Sequence, residues 1–235
     1  MRATFAYAQA RIGARLARHP EAAVWGHLAT ARTVAAYLTA ARRSPVAPWL
    51  ASLASTATAH EIERTLRAEV RRAVAEVAGW VTPAWRPAVG WLRHLTVVEL
   101  LAGVWSGEAV AWLAPDPALA AYGGGEGALA SLGLTEVAAA VRAGTSPLAA
   151  WLDGWQRRWP DASPAPLADR LRRLGSPSLG AGDAAQGVRR ALLHLIHRQA
   201  AEPVVPLAYL TLVVLDLATL RGELVARACF EGGEG

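Results

Sequence analysis

Four short stretches carry the residue types that could do chemistry, and each lacks a part that the chemistry needs. "HEIER", residues 60–64, begins like an H-E-x-x-H zinc helix with His60 and Glu61, but Arg64 stands where the second imidazole should fall one turn later. His60 is better read as an early helix residue, with Glu61 and Glu63 in a first turn whose positive end favours carboxylates. "HLIH" sets His194 and His197 three apart on one helix face, enough for two metal ligands, with no Cys or carboxylate spaced to complete the set. "YGGGEG", residues 122–127, could cradle phosphate, but it lacks the Lys-Ser/Thr of a P-loop and follows an alanine-rich helical segment rather than a strand. Cys229 has no spaced His partner, and no G-x-S-x-G is present. The expectation is a chain that is not an enzyme and has no catalytic residue, metal, cofactor or small-molecule substrate.

The elements that would position such residues are helices. Of the 235 residues 53% are hydrophobic, alanine is abundant, and the β-branched and aromatic content that strands need is low, so an all-α fold is expected. The 24 basic residues, all Arg, against 19 acidic ones leave a net charge of +5, dispersed in runs no longer than a pair. Nucleic-acid binding through counterion release calls for a denser basic face and is not expected. A single cysteine excludes an internal disulfide and any multi-cysteine metal site. No secretory signal pattern opens the sequence, so a reducing, cytoplasmic location is expected.

Periodicity and punctuation predict helices at 4–18, 21–43, 46–54, 59–79, 84–104, 106–113, 126–131, 134–142, 146–158, 164–174, 183–201 and 204–229. Pro45, Pro83, Pro147, Pro164 and Pro206 sit near starts, where a missing N–H costs little. "YGGGEG" and "GSPSLGAGD" are the joints. "TVAAYLTAARRSPVAPWL" from Thr33 aligns with "EVAAAVRAGTSPLAAWL" from Glu136 after one deletion, with Ser44-Pro45, Ala47 and Trp49-Leu50 matching Ser146-Pro147, Ala149 and Trp151-Leu152. That pattern suggests an internal repeat in which a helix, a Ser-Pro start and a second helix recur. It divides the chain into a first lobe at 1–122, a second at 123–202 and a closing helix at 203–235 that packs on the first lobe, bringing the terminal helices together.

Three surfaces or segments are candidates for function. In the opening helix Phe5, Ala8, Ile12 and Leu16 share one face, and Arg11, Arg15 and Arg18 form a cationic flank for solvent or an acidic partner. In "WLDGWQRRW", Trp151, Trp155 and Trp159 recur at i, i+4 and i+8, a stripe that is either core or interface. Residues 203–220 have the length of a short membrane span, but two prolines near the start and the carboxylate of Asp216 argue for a buried core helix. There Asp216 needs a counter-charge, for which Arg11, Arg15 and Arg221 are the candidates, the Asp216–Arg221 pair foremost.

"FAYAQARIGARL" resembles the N-terminal helix of the C/d subunit family of V-type and archaeal-type rotary ATPases, in which an aromatic-Ala-Tyr segment runs into an Ala-Arg-Val/Ile pair. "PLAYLTLVVLDLATLRGELVARACF" resembles that family's closing helix at Leu207-Ala208-Tyr209 and Leu220-Arg221, and "YLTAARRSPVAPWL" is similar to its helix-turn-helix unit. A Lys-Glu pair usual in the closing helix is replaced by Thr211-Leu212, leaving Asp216 as the nearest acid, and the chain is shorter than ordinary members by about one repeat. The resemblance implies a non-catalytic linker whose funnel of helices sits on the membrane rotor ring and holds the foot of the central shaft. Its partners would be other protein subunits and its place the cytoplasm, peripheral at the inner membrane face. The alternative is a helical adaptor or membrane-surface protein unrelated to ATPases, using the Trp stripe and arginines at lipid headgroups.

Overall fold

The computed structural model describes residues 2–98, 119–120, 122, 125–173 and 182–231. Among them are eleven α-helices and no strand. They are α1 (Arg2–Leu16), α2 (Ala22–Ala29), α3 (Val34–Ala41), α4 (Ala59–Ala78), α5 (Arg86–Trp91), α6 (Gly125–Ser131), α7 (Thr135–Arg142), α8 (Pro147–Gln156), α9 (Ala165–Arg173), α10 (Gly182–Arg198) and α11 (Val204–Glu231). The all-α expectation holds. The expected helix at 106–113 and most of the joint at 175–183 lie outside the described residues.

The apolar length of α11 is the axis of the fold. Every residue from Pro203 to Leu217 is buried, whichever way it points. A helix apolar all round must be enclosed, and α4, α10, α1 and α3 all pack on it. The helix is long and apolar enough to cross a membrane, but 83% of that window is buried inside the fold. Opposite it, α4 has the two-faced pattern of a surface helix, with Ile62, Leu66, Val70, Val74 and Val77 buried. Its start is a capping box: Thr58 accepts from the Glu61 N–H and the Glu61 carboxylate accepts from the Thr58 N–H. Thus Glu61 of "HEIER" serves the helix terminus, and the backbone N–H of Thr58 holds it below its ordinary pKa. The opening helix buries Phe5, Ala8 and Ile12, as its spacing predicts, and lies along α11.

Three boundaries differ from expectation, each for a local reason. The single helix expected at 21–43 is two. Thr33 begins α3 by accepting from the Ala36 N–H at 3.1 Å, and Thr30 bonds back to the His27 carbonyl at 2.7 Å, closing α2. The expected helix at 46–54 is only a 3₁₀ turn, Ala47–Trp49. Pro48 is the cause: its counterpart Ala150 donates its N–H to the Ser146 carbonyl in the first turn of α8, and proline has none to donate. The two sequence units aligned as a repeat are therefore built differently, α3 leading into a turn and α7 into a ten-residue helix. The expected helix at 84–104 is broken up, with a 3₁₀ turn Pro83–Trp85, then α5, then a second 3₁₀ turn Leu92–His94.

The two segments expected to form separate lobes share one core, which runs from Phe5 to Leu224. Trp91 donates its indole N–H to the Trp151 carbonyl at 3.1 Å, and Trp155 donates to the Ala88 carbonyl at 2.8 Å. Gly154 permits that approach, because a Cβ there would stand 3.0 Å from the Trp91 ring. The closing helix packs on α10 as well as on the first-lobe helices. Gly133 and Gly144, at φ of 75° and 64°, end α6 and α7 in the left-handed region, and the N–H of the next residue reaches back to the Leu129 and Ala140 carbonyls respectively. Truncating Trp155, 0% exposed, should reach both segments at once. Trp155→Ala is expected to cost about 3–5 kcal/mol of unfolding free energy in urea titration, in a single transition.

Candidate functional site

Charge buried in apolar surroundings has to be answered, and Asp216 is 0% exposed near the middle of α11. Its Oδ1 accepts from the Arg189 Nε at 2.8 Å, and its Oδ2 meets the His19 Nε2 at 2.7 Å. A carboxylate only accepts, so His19 carries its proton on Nε2. Arg189, 5% exposed on α10, also donates to the Leu215 carbonyl at 3.1 Å and to the Thr219 hydroxyl, and its guanidinium lies 5.4 Å from the centre of the Trp25 ring. His19 stands in the turn that leaves α1. One carboxylate thereby ties α11 to α10 and to the end of α1.

The expected Asp216–Arg221 pair is corrected by these contacts. Arg221 lies on the other side of the helix and bonds Glu63 of α4 at 2.6 Å, and Glu63 also holds Arg67. The other candidate counter-charges, Arg11 and Arg15, turn to Glu76 of α4 at 3.8 and 2.5 Å. They also cover Trp80, at 5.4 and 5.2 Å from its ring centre. The Tyr209 hydroxyl lies close to Arg15, and burial is the chief cause that raises its pKa. Arg18 is exposed, and no acidic side chain pairs with it among the described residues. Tyr7, 58% exposed, continues this flank next to Arg11. Arg11 and Arg15 of the cationic flank are thus shared between an intramolecular carboxylate and aromatic rings.

The Trp stripe is core. Trp151 and Trp155 are 0% exposed, the Trp151 ring stacks on Trp91 and tilts against Trp155, and Trp159 is partly buried against Trp155. Arg158 lies over the Trp91 ring at 3.6 Å from its centre, closing the stack from outside. The interface assignment of Trp151, Trp155 and Trp159 is therefore corrected: an i, i+4, i+8 stripe covers one helix face, and here α5 covers that face in turn.

A second buried polar pair was not expected. Arg93 donates to His94 Nε2 at 3.2 Å, so the ring donates through Nδ1 to the Tyr122 hydroxyl at 2.8 Å. Burial first, then the charges of Arg93 and Arg158, hold His94 neutral, its pKa lowered to about 3. Arg227 was also missed. It takes the Ala31 and Ala29 carbonyls at 2.7 and 3.2 Å, answering the C-terminal end of α2 from α11, and covers the Tyr37 ring.

None of these clusters has the parts of a reaction centre. The His19–Asp216 pair resembles an orienting dyad, but the nearby hydroxyl of Thr219 donates to the Leu215 carbonyl. The void near the middle of α11, about 10 Å³ between Leu95, Leu148, Leu171, Thr211, Val214 and Leu215, has room for one water at most. Among the described residues no three His, Cys, Asp or Glu side chains converge as a metal site, and His194 and His197 are exposed. No protein-family model, curated protein or solved structure matches the chain.

Two tests follow from these pairs. Asp216→Leu leaves the buried Arg189 charge unanswered and is expected to cost about 3–5 kcal/mol, whereas adding Arg189→Met should recover much of that loss in thermal and urea unfolding. His94 is neutral in the fold down to a pKa of about 3 but takes up a proton near 6.5 when unfolded. Its contribution is fully present above 6.5 and is lost as pH falls. Between those two values the wild type should lose up to about 1.4 kcal/mol per pH unit more than His94→Gln, read from urea titrations at stepped pH.

Proposed function

We propose that this chain is a non-catalytic helical linker subunit of the kind that joins rotor ring to central shaft in V-type and archaeal-type rotary ATPases. One observation supports this most. The two end segments that resemble the C/d family, residues 5–16 and 206–230, lie against each other, with Arg15 of the first close to Tyr209 of the second. Of the residues of the resemblance in the closing helix, Leu207, Ala208, Tyr209 and Leu220 are buried and Arg221 is exposed. Thr211 and Leu212, which replace the family's Lys-Glu pair, are buried too, at 1% and 0% exposure. Asp216 and Arg189 then supply the ionic contact that the substituted pair would otherwise bring to this helix. The partners are other protein subunits, a membrane rotor ring and a central-shaft subunit. The location is cytoplasmic and peripheral at the inner membrane face, with no nucleic acid and no small-molecule substrate.

A scaffold with that task needs rigidity, and the fold has two devices for it: an ionic tie between its first, tenth and eleventh helices, and a tryptophan stack that joins α5 to α8. The alternative, a membrane-surface adaptor, relied on the Trp stripe at lipid headgroups, and with Trp151 and Trp155 enclosed it keeps, among the described residues, Tyr7, Phe230 and the α1 arginines. Affinity purification of the tagged chain from its own cells, with mass spectrometry of what co-purifies, is expected to return rotary-ATPase shaft and ring subunits in stoichiometric amounts. Recovery of the chain without them, from cells that express the ATPase, would overturn the assignment.

A further inference from the structure

The net charge of this protein is concentrated in its first quarter. Residues 1–58 contain seven arginines (2, 11, 15, 18, 32, 42 and 43) and one carboxylate, Glu21, a balance of +6, against 17 arginines and 18 carboxylates, a balance of −1, in residues 59–235. The same quarter forms an open groove of about 690 Å³ between α2 and α3. Ala23, Val24, Ala36 and Ala40 give it a floor of small apolar side chains, and no carboxylate lines it. Two other lining hydroxyls are already committed: Thr39 donates to the Ala35 carbonyl at 2.8 Å and Ser44 to the Ala41 carbonyl at 2.8 Å. His27 and Arg43 remain, both exposed and, among the described residues, with no side-chain bond. Arg42, by contrast, is tied to the Leu53 carbonyl at 2.8 Å.

We infer that this groove docks an amphipathic helix of a partner protein, seated by a small apolar ridge on the alanine floor and held by carboxylates that pair with Arg43 and His27. Three features select that occupant. Small side chains on α2 and α3 let a third helix approach closely, ridge into groove. The positive rim has no internal acid to satisfy it, so an acidic partner gains both attraction and faster encounter, while a basic one is repelled. A bilayer would meet a protruding apolar surface, whereas this site is concave and the exposed large apolar side chains, Tyr7 and Phe230, are not among its lining. A nucleic-acid backbone calls for a row of cations along its track, and here one guanidinium and one imidazole flank an apolar floor.

The test uses the full chain and a displayed library of amphipathic helical peptides randomised in charge on one flank. Selected peptides are expected to carry Asp or Glu on that flank, and replacing those residues by Asn or Gln should weaken binding about tenfold or more, a change of about 1.4 kcal/mol per factor of ten. Arg43→Glu should weaken the same peptides to a similar degree, and Ala36→Trp, which fills the groove from an exposed position, should abolish binding; both variants should melt as the wild type does. Ala23→Trp serves if Ala36→Trp melts lower. Selection of neutral or basic peptides, or binding indifferent to Arg43→Glu and to the filled groove, would overturn the inference. So would tighter binding of phosphatidylserine vesicles or of a DNA duplex lost in Arg43→Glu, or a dimer of the chain that the filled groove dissolves. The outcome does not depend on the rotary-ATPase assignment, which the co-purification decides separately.

Discussion

A carboxylate in the middle of an all-apolar helix is the constraint on which the fold turns. Once α11 is buried on every side, the Asp216 carboxylate can be kept there only if a counter-charge and hydrogen-bond donors are brought to it through the core. Arg189 and His19 do this, and because they belong to α10 and to the end of α1, charge neutralisation at one atom pair fixes the positions of three helices. Burying an ion pair is weak evidence for added stability, since desolvation offsets much of the attraction. Its contribution is to geometry: an apolar helix alone could rotate or slide in its sheath at little cost, whereas one with a single carboxylate has one register in which Arg189 and His19 both reach it.

The tryptophans impose a second register on the other half of the molecule. Trp91 lies between the backbone of α8, open at Gly154, and the guanidinium of Arg158, while Trp155 returns a hydrogen bond to α5. The buried indole N–H groups of Trp151 and Trp159, like that of Trp25, have no acceptor among the described residues. Their rings were placed for volume and stacking, and the N–H groups went unanswered at a cost of about 1–3 kcal/mol each. Both devices, ionic and aromatic, restrict relative helix motion, the property required of a part that transmits force between other subunits under the proposed function.

Arginine has three uses here, separated by what lies opposite. Inside, Arg189 answers a carboxylate. At half-exposed positions Arg11, Arg15, Arg158 and Arg227 spread over aromatic rings, where a planar, weakly hydrated cation keeps much of its solvation while covering apolar surface. Beside the groove between α2 and α3, Arg43 is left to solvent and to whatever acid arrives.

Local signals were legible in the sequence wherever short-range physics decides the outcome. The spacing of Phe5, Ala8 and Ile12 marked a buried face, Thr58 and Glu61 stood three apart as a cap requires, and the limits of α4 and α11 were readable to within a few residues because caps and prolines act on their own neighbours. The burial of Asp216 was readable too, since a lone acid in an apolar run has few other fates. Its partners were not. Arg189 and His19 are 27 and 197 residues away, and nothing in their own neighbourhoods distinguishes them from the other exposed-looking basic residues. The sequence neighbour Arg221 was the natural candidate, but five residues along a helix turn a side chain to the opposite side, where Glu63 waits. The aligned Ser-Pro units looked alike because five of their seven positions match, and one of the two mismatches, Pro48 for Ala150, removed the N–H on which the second helix depends. Composition and spacing thus determined which segments became helices and which faces were apolar; only the packed structure decided which charge met which, because that choice is made by helices brought together from distant parts of the chain.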